Sequence, residues 1–222
     1  MTSKSELDVR VERSTRVYDT SALNFYDIFV HGFCNRFAWQ CSTETLIAQY
    51  NQLVTGNHLE VGVGTAFLID KCRVPGRNPR LGIMDFSKQC LTHSAKRLER
   101  YRPEIYQSDI LKPLDIKGPK FDSIGINYVL HCVPGSFAEK GVAFKNMKAV
   151  LTDHGVLFGS TLLGKDVTRN RVARTLMALY NKVGAFTNRA DDVASLRTAL
   201  EANFKHVEID VVGCCALFKA WD

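Results

Sequence analysis

Between residues 58 and 70 the sequence reads HLEVGVGTAFLID. A short apolar run carries one acid, Glu60, and then two glycines, Gly62 and Gly64, with Thr65 and Ala66 behind them. Glycine weakens the interior of a strand or helix, so a cluster of it at the end of an apolar run marks a bend or a close backbone approach to a ligand. Three further apolar runs end in polar residues. RLGIM leads to Asp85 and Phe86, IYQS leads to Asp109 and Ile110, and FDSIGI leads to Asn127, Tyr128, His131 and Cys132. Counting HLEVGV as the first run, an acid at the end of the second, Asp85, can accept hydrogen bonds from both hydroxyls of a ribose. An acid at the third can accept from an exocyclic amine, while Phe86 and Ile110 can cover the two faces of a flat base. The loop does not spell GxGxxG, because Phe67 stands at the third position, and no GxxxxGK[ST] loop occurs. Glu60 in the loop suits a cationic ligand better than a pyrophosphate.

These residues need a frame that brings their run ends together. After residue 57, apolar runs of strand length alternate with helical segments. Strands are expected over 58–63, 80–85, 105–109, 121–130 and 156–163, with two more joined tightly around Gly213. Helices are expected over 42–54, 66–72, 87–101, 136–151, 167–183 and 190–203, with a turn at 152–155 before the fifth strand. Residues 20–39 carry Phe25, Phe29, Phe33 and Phe37 at intervals of four, which suggests a helix with one apolar face. The pattern implies an α/β fold: a Rossmann-like, seven-stranded, mostly parallel sheet with a C-terminal antiparallel hairpin and helices on both faces. Ligands of such sheets bind beyond the carboxyl ends of the strands. A single domain over 1–222 is expected, with an N-terminal arm and helical lid over 1–55 and a ligand-binding core over 56–222.

With the motifs placed in this order, residues 57–160 resemble the class I S-adenosylmethionine-dependent methyltransferases. LEVGVGTA is similar to that family's first motif, (D/E)xGxGxG, with Ala66 in place of the third glycine. Asp85 matches the ribose acid and Asp109 the acid near the adenine amine. FDSIGINYVLHCVP matches the fourth motif, and HGVLFGST the glycine turn and strand that follow. The resemblance implies S-adenosyl-L-methionine as cofactor and S-adenosyl-L-homocysteine as product. It implies that Glu60, Gly62, Gly64 and Thr65 serve the methionine portion. It places Asp85, Phe86, Asp109 and Ile110 around the nucleoside and counts Asn127 among the cofactor-binding residues, with Tyr26 or Arg36 near the carboxylate.

Methyl transfer from a sulfonium asks the protein mainly for alignment and a dry pocket. An oxygen or nitrogen acceptor can also need a base, and His131 is the candidate because histidine titrates near neutrality. Tyr128, His131, Trp39 and His31 are candidates for contact with the acceptor. Arg169, Arg171 and Arg174 are candidates to attract an acidic one, against the plainer reading of a solvated face. The fourth motif has NYVL where enzymes acting on base amino groups often have (N/D)PP(Y/F), and Cys132-Val133-Pro134 reverses the Pro-Cys order of cytosine-C5 enzymes. A small organic acceptor is therefore expected, with O-methylation favoured over N- or C-methylation. The rival readings are an RNA or protein methyltransferase of the same fold and a non-methylating binding protein.

The formal net charge of +6 is spread out, with no basic run to suggest nucleic acid. No apolar run reaches membrane-spanning length. Seven cysteines without a CxxC pair, and without an export signal, suggest reduced thiols and a cytoplasmic setting. No Cys/His set has metal-ligand spacing.

Overall fold

The apolar runs pair into one seven-stranded sheet in the order β3-β2-β1-β4-β5-β7-β6, in a computed structural model that describes residues 27–222. The strands are β1 (Asn57–Val61), β2 (Arg80–Asp85), β3 (Glu104–Gln107), β4 (Phe121–Asn127), β5 (Leu151–Leu162), β6 (His206–Val212) and β7 (Cys215–Trp221). Strands β1 to β5 are parallel, and β7 runs against both β5 and β6. The expected seven-stranded sheet with its C-terminal hairpin is present. From β1 the chain builds outward through β2 and β3, then returns to place β4 and β5 on the other side. That reversal opens a crevice at the carboxyl ends of β1, β2 and β4.

Both faces of the sheet are covered. On one lie α1 (Asp27–Ala38), α2 (Thr43–Leu53), α3 (Phe67–Lys71), α4 (Lys88–Arg97) and α7 (Arg171–Val183), contributing Cys34, Leu46, Tyr50, Ile69, Leu91 and Met177 to a buried layer. On the other lie α5 (Phe137–Lys140), α6 (Val142–Ala149) and α8 (Val193–Glu201), with Phe137, Phe144, Met147, Leu196 and Leu200 packed on Leu59, Val61, Ile124 and Ile126. Burying each such side chain contributes about 1.5–3 kcal/mol. Helix starts are set by short polar side chains. Ser42 accepts from the Thr45 amide, Ser87 from Cys90, Asn170 from Ala173 and Asp192 from Ser195.

Three elements depart from expectation. The helix expected over 136–151 is two, α5 and α6, joined at Gly141. The turn expected at 152–155 lies inside β5, which starts early enough to pair Leu151 with Phe121 and absorbs the extra residues as an irregularity before Val156 meets Ser123. Helix α1 is wound as a π-helix, and Trp39 donates its amide to the Cys34 carbonyl at 2.8 Å. The four-residue aromatic spacing of α1 stacks Phe29 on Phe33 and sets Phe37 at a tilt to Phe33, but Phe33 and Phe37 remain 46% and 54% exposed. The buried face is Cys34, Asn35 and Ala38 instead.

One buried ion pair ties the segment before α8 to α5. Lys140 donates to Asp191 at 2.6 Å with both side chains fully buried. Burial pushes the Lys140 ammonium down and the Asp191 carboxyl up, and each partner opposes the other's shift. Lys140→Met leaves Asp191 charged and unpaired, so a loss of about 3–5 kcal/mol is expected in denaturant unfolding. The double variant Lys140→Met/Asp191→Leu should recover most of that loss.

Candidate functional site

The crevice is bounded by the loop after β1. Gly62, Gly64 and Ala66 all have left-handed backbone, with φ of +66°, +51° and +60°. A Cβ on Gly62 would lie 2.2 Å from a methyl of Val129, so this glycine lets the loop after β1 close against the loop after β4. Ala66 holds the third position of the motif and opens α3 in a conformation that costs an L-residue about 1–2 kcal/mol. Several bonds hold the loop in that shape. The Gly64 amide donates to Asp85 at 3.1 Å, and Ser94 donates to the Gly64 carbonyl at 2.7 Å. Thr65 donates to Asp27 at 2.5 Å, and Arg97 reaches Asp27, the Thr65 carbonyl and Asp70. Arg97 therefore ties α1 to the loop through a site remote in sequence.

Three carboxylates, Glu60, Asp85 and Asp109, line the cleft, and among the described residues no Lys or Arg does. Glu60 is buried, accepts from the Tyr50 hydroxyl at 2.5 Å, and lies 3.1 Å from Nε2 of His58, whose Nδ1 is 2.8 Å from Ser123. Gly125 of β4 leaves room for this acid, since a Cβ there would lie 2.8 Å from Oε2. Burial, and then the charge of Glu60, hold the Tyr50 phenol well above its ordinary range, so it remains a donor. Asp85 accepts from the amides of Ser87 and Gly64, at 2.8 and 3.1 Å. Burial raises its carboxyl, while the amides of Ser87, Gly64 and Phe86 oppose the shift. Asp109 accepts from the Leu111 amide at 2.9 Å. Phe86 and Ile110 also line the cleft. Asn127 accepts from Ser160 at 2.6 Å, and its buried amide nitrogen, beside the Tyr50 hydroxyl, has no well-formed hydrogen bond.

This donor and acceptor set fits an adenosyl sulfonium amino acid. The acids suit a cationic, hydroxyl-bearing ligand, an orphan amide donor can meet a carboxylate, and a pyrophosphate would find no Lys or Arg among the described lining residues. Glu60, Gly62, Gly64, Thr65, Asp85, Phe86, Asp109, Ile110 and Asn127 all line one cleft, together with Tyr128 and His31. Tyr128 has φ +56°, an unfavourable backbone for a bulky residue, and its amide donates to the Ser160 carbonyl at 2.9 Å. The His31 ring stacks on Phe67 at 4.3 Å. Burial lowers its pKa to about 4, with Arg97 adding to the shift and Asp27 opposing it.

Three expected site residues do not reach the cleft, and Tyr26 lies outside the described residues. Arg36 is exposed, beside Phe37. Trp39 is buried against Phe186. His131 is buried, its ring edge-on to Phe186 at 4.5 Å and to Tyr128 at 5.7 Å. Its Nδ1 accepts from the Leu162 amide at 3.4 Å, which places the proton of the neutral ring on Nε2. Burial, with the charge of Lys140 adding, lowers its pKa to about 3, so it is a poor proton acceptor. Tyr50, Arg97 and Val129 were not legible as site residues. Tyr50 reads as part of an apolar helix face, and no local pattern connects Arg97 to a loop some thirty residues earlier.

A family model described as a methyltransferase domain matches residues 59–157. The chain is 36% identical to demethylluteothin O-methyltransferase of Streptomyces thioluteus, with the match covering 97% of this chain and 94% of that one. It is 37% identical to the N-methyltransferase vrtF of Penicillium aethiopicum, over 82% and 76% of the two chains. Among solved structures, a complex of DhpI with SAH has a similar fold, with a TM-score of 0.66 at 13% identity over 98% and 97% of the chains.

Gly62→Ala meets both the left-handed backbone and Val129, so a loss of roughly 2–4 kcal/mol is expected in thermal unfolding. Gly62→Ala/Val129→Ala should recover the packing part alone. His131 binds a proton in the unfolded chain below about pH 6.5 but in the fold only near pH 3, so it removes stability as pH falls through that window. His131→Asn should flatten the stability profile there by about 1.4 kcal/mol per pH unit, measured by denaturant unfolding across pH.

Proposed function

The chain belongs to the S-adenosylmethionine-dependent methyltransferases, and we propose that it methylates an oxygen of a small organic acceptor. The observation that carries this reading is the cleft itself: three carboxylates and an orphan amide at the switch point of the sheet, with no Lys or Arg among the described lining residues. When bound, S-adenosylmethionine supplies a methyl group already activated on a sulfonium. Glu60, fixed by Tyr50 and His58, offers a negative charge to the ammonium. Asn127 donates to the carboxylate, Asp85 accepts from the ribose hydroxyls, and Asp109 accepts from the adenine amine. Phe86 and Ile110 enclose the ring.

The acceptor enters beside His31 and Tyr128. His31 is neutral at physiological pH and can accept a hydrogen bond from an acceptor hydroxyl, but a group with a pKa near 4 cannot hold the proton. The acceptor's own acidity then governs the step, which suits phenols and carboxylic acids. His131 has a positioning role, holding Tyr128 and Phe186 edge-on. Both relatives' names support a methyl-accepting substrate rather than mere binding, and the first supports oxygen as the acceptor atom. The strand-four sequence NYVL supports a small molecule over a nucleic-acid base. We read the chain as one catalytic unit, with α1 as its lid. A cytoplasmic setting is supported by seven unpaired thiols, and no described helix is long and apolar enough to cross a membrane.

The test is a screen of phenols, carboxylic acids and amines with S-adenosylmethionine, with the methylated atom located by NMR. For a substituted phenol series, kcat/KM should rise with pH along each phenol's own ionisation. A common break near pH 6.5 for every acceptor would show instead that a histidine of ordinary basicity takes the proton, and product on nitrogen alone would overturn the assignment to oxygen.

A further inference from the structure

A second pocket lies past the carboxyl end of β5 and shares no lining residue with the cleft. Gly164, Arg169, Arg174, Met177, Asn181 and Arg189 form its wall. Arg174, Met177 and Asn181 stand at i, i+3 and i+7 of α7, so one helix face supplies half of it. Three arginines line this one pocket, and like charges that share a pocket repel unless negative charge sits among them. None of the three forms an ion pair with a described carboxylate. The acids nearest in sequence are committed elsewhere: Asp191 to Lys140 at 2.6 Å, and Asp192 and Asp166 to Lys165 at 3.3 and 3.7 Å. Arg169 donates through Nη2 to the Gly164 carbonyl, which pins its guanidinium to the wall, while its buried Nε has no partner. Arg174 and Arg189 are exposed and can close from above, over a floor that includes the buried Met177.

We propose that this pocket is an anion-binding site that takes a carboxylate or phosphate group of a small molecule, seated on Arg169 and closed by Arg174 and Arg189. The planar fork of arginine matches both oxyanions in bidentate geometry. The pocket and the cleft both open at the carboxyl edge of the sheet, so the anion is either an acidic group of the acceptor or a free anion that binds beside it. The inference does not depend on which atom is methylated.

The experiment is thermal unfolding of the full chain with inorganic phosphate or with benzoate, at ionic strength held constant with chloride. Wild type is compared with Arg174→Gln/Arg189→Gln, whose substituted side chains are exposed and whose folding is checked by circular dichroism. A specific site raises the wild-type midpoint with anion concentration by mass action. The double variant should bind about tenfold or more weakly. A rise with both anions identifies a site for free anions, and a rise with benzoate alone identifies one for a carboxylate on an organic body. No rise in the wild type, or an equal rise in the variant, overturns the proposal.

Discussion

The bond from the Gly64 amide to Asp85, 3.1 Å long, is the interaction on which the site depends. It joins the loop after β1 to the tip of β2 and so fixes two walls of the cleft relative to each other. The loop donates that bond from a left-handed conformation, which Gly62, Gly64 and Ala66 all adopt. Part of the conformational cost falls on Ala66, where glycine would have avoided it. The offset comes from the loop's other bonds: Ser94 on its carbonyl, and Asp27 and Arg97 on Thr65. A strained backbone persists where its surroundings determine it several times over.

Behind the cleft, polarity is concentrated on one side of β1. His58 and Glu60 point to the same face and sit buried with Tyr50, Phe158 and Ser123. Leu59 and Val61 point to the other and pack in a layer with Phe137, Phe144 and Met147. A buried carboxylate is costly unless its oxygens are met, and here both have partners at hydrogen-bond distance. The network fixes Glu60 before any ligand arrives, so binding costs little reorganisation of this acid. The same accounting explains the chemistry near Tyr128. Burial holds His31 and His131 neutral, so the site is suited to orienting an acceptor rather than to removing a strongly held proton.

Much of this was legible in sequence because strand ends carry their chemistry in order. The strand 80–85 was read with its bounds intact, and the acids and glycines at three strand tips come together with Asn127 at a fourth, as the topology requires. What was not legible depends on contacts between distant residues. Asn127 ends β4 and His131 follows it closely, yet only packing from Phe186 and Leu162 decides that the His131 ring turns into the core. Tyr50 shows a helical apolar period and nothing of the acid it meets. The π winding of α1 shifts its buried face away from the phenylalanines, a change that a four-residue spacing cannot reveal. The start of β5 was hidden because Thr152-Asp153-His154-Gly155 has turn composition, while pairing with Phe121 draws it into the sheet.

The most direct measurement of the central claim is calorimetric titration of S-adenosylhomocysteine into the wild type and Asp85→Ala. Asp85 braces the glycine loop and, in the proposed binding mode, accepts from the ribose hydroxyls, so its removal should weaken binding by roughly ten- to a hundredfold, the worth of one or two charge-assisted hydrogen bonds. Equal binding by the two proteins, or none by a folded wild type, would contradict the assignment of this cleft to the cofactor.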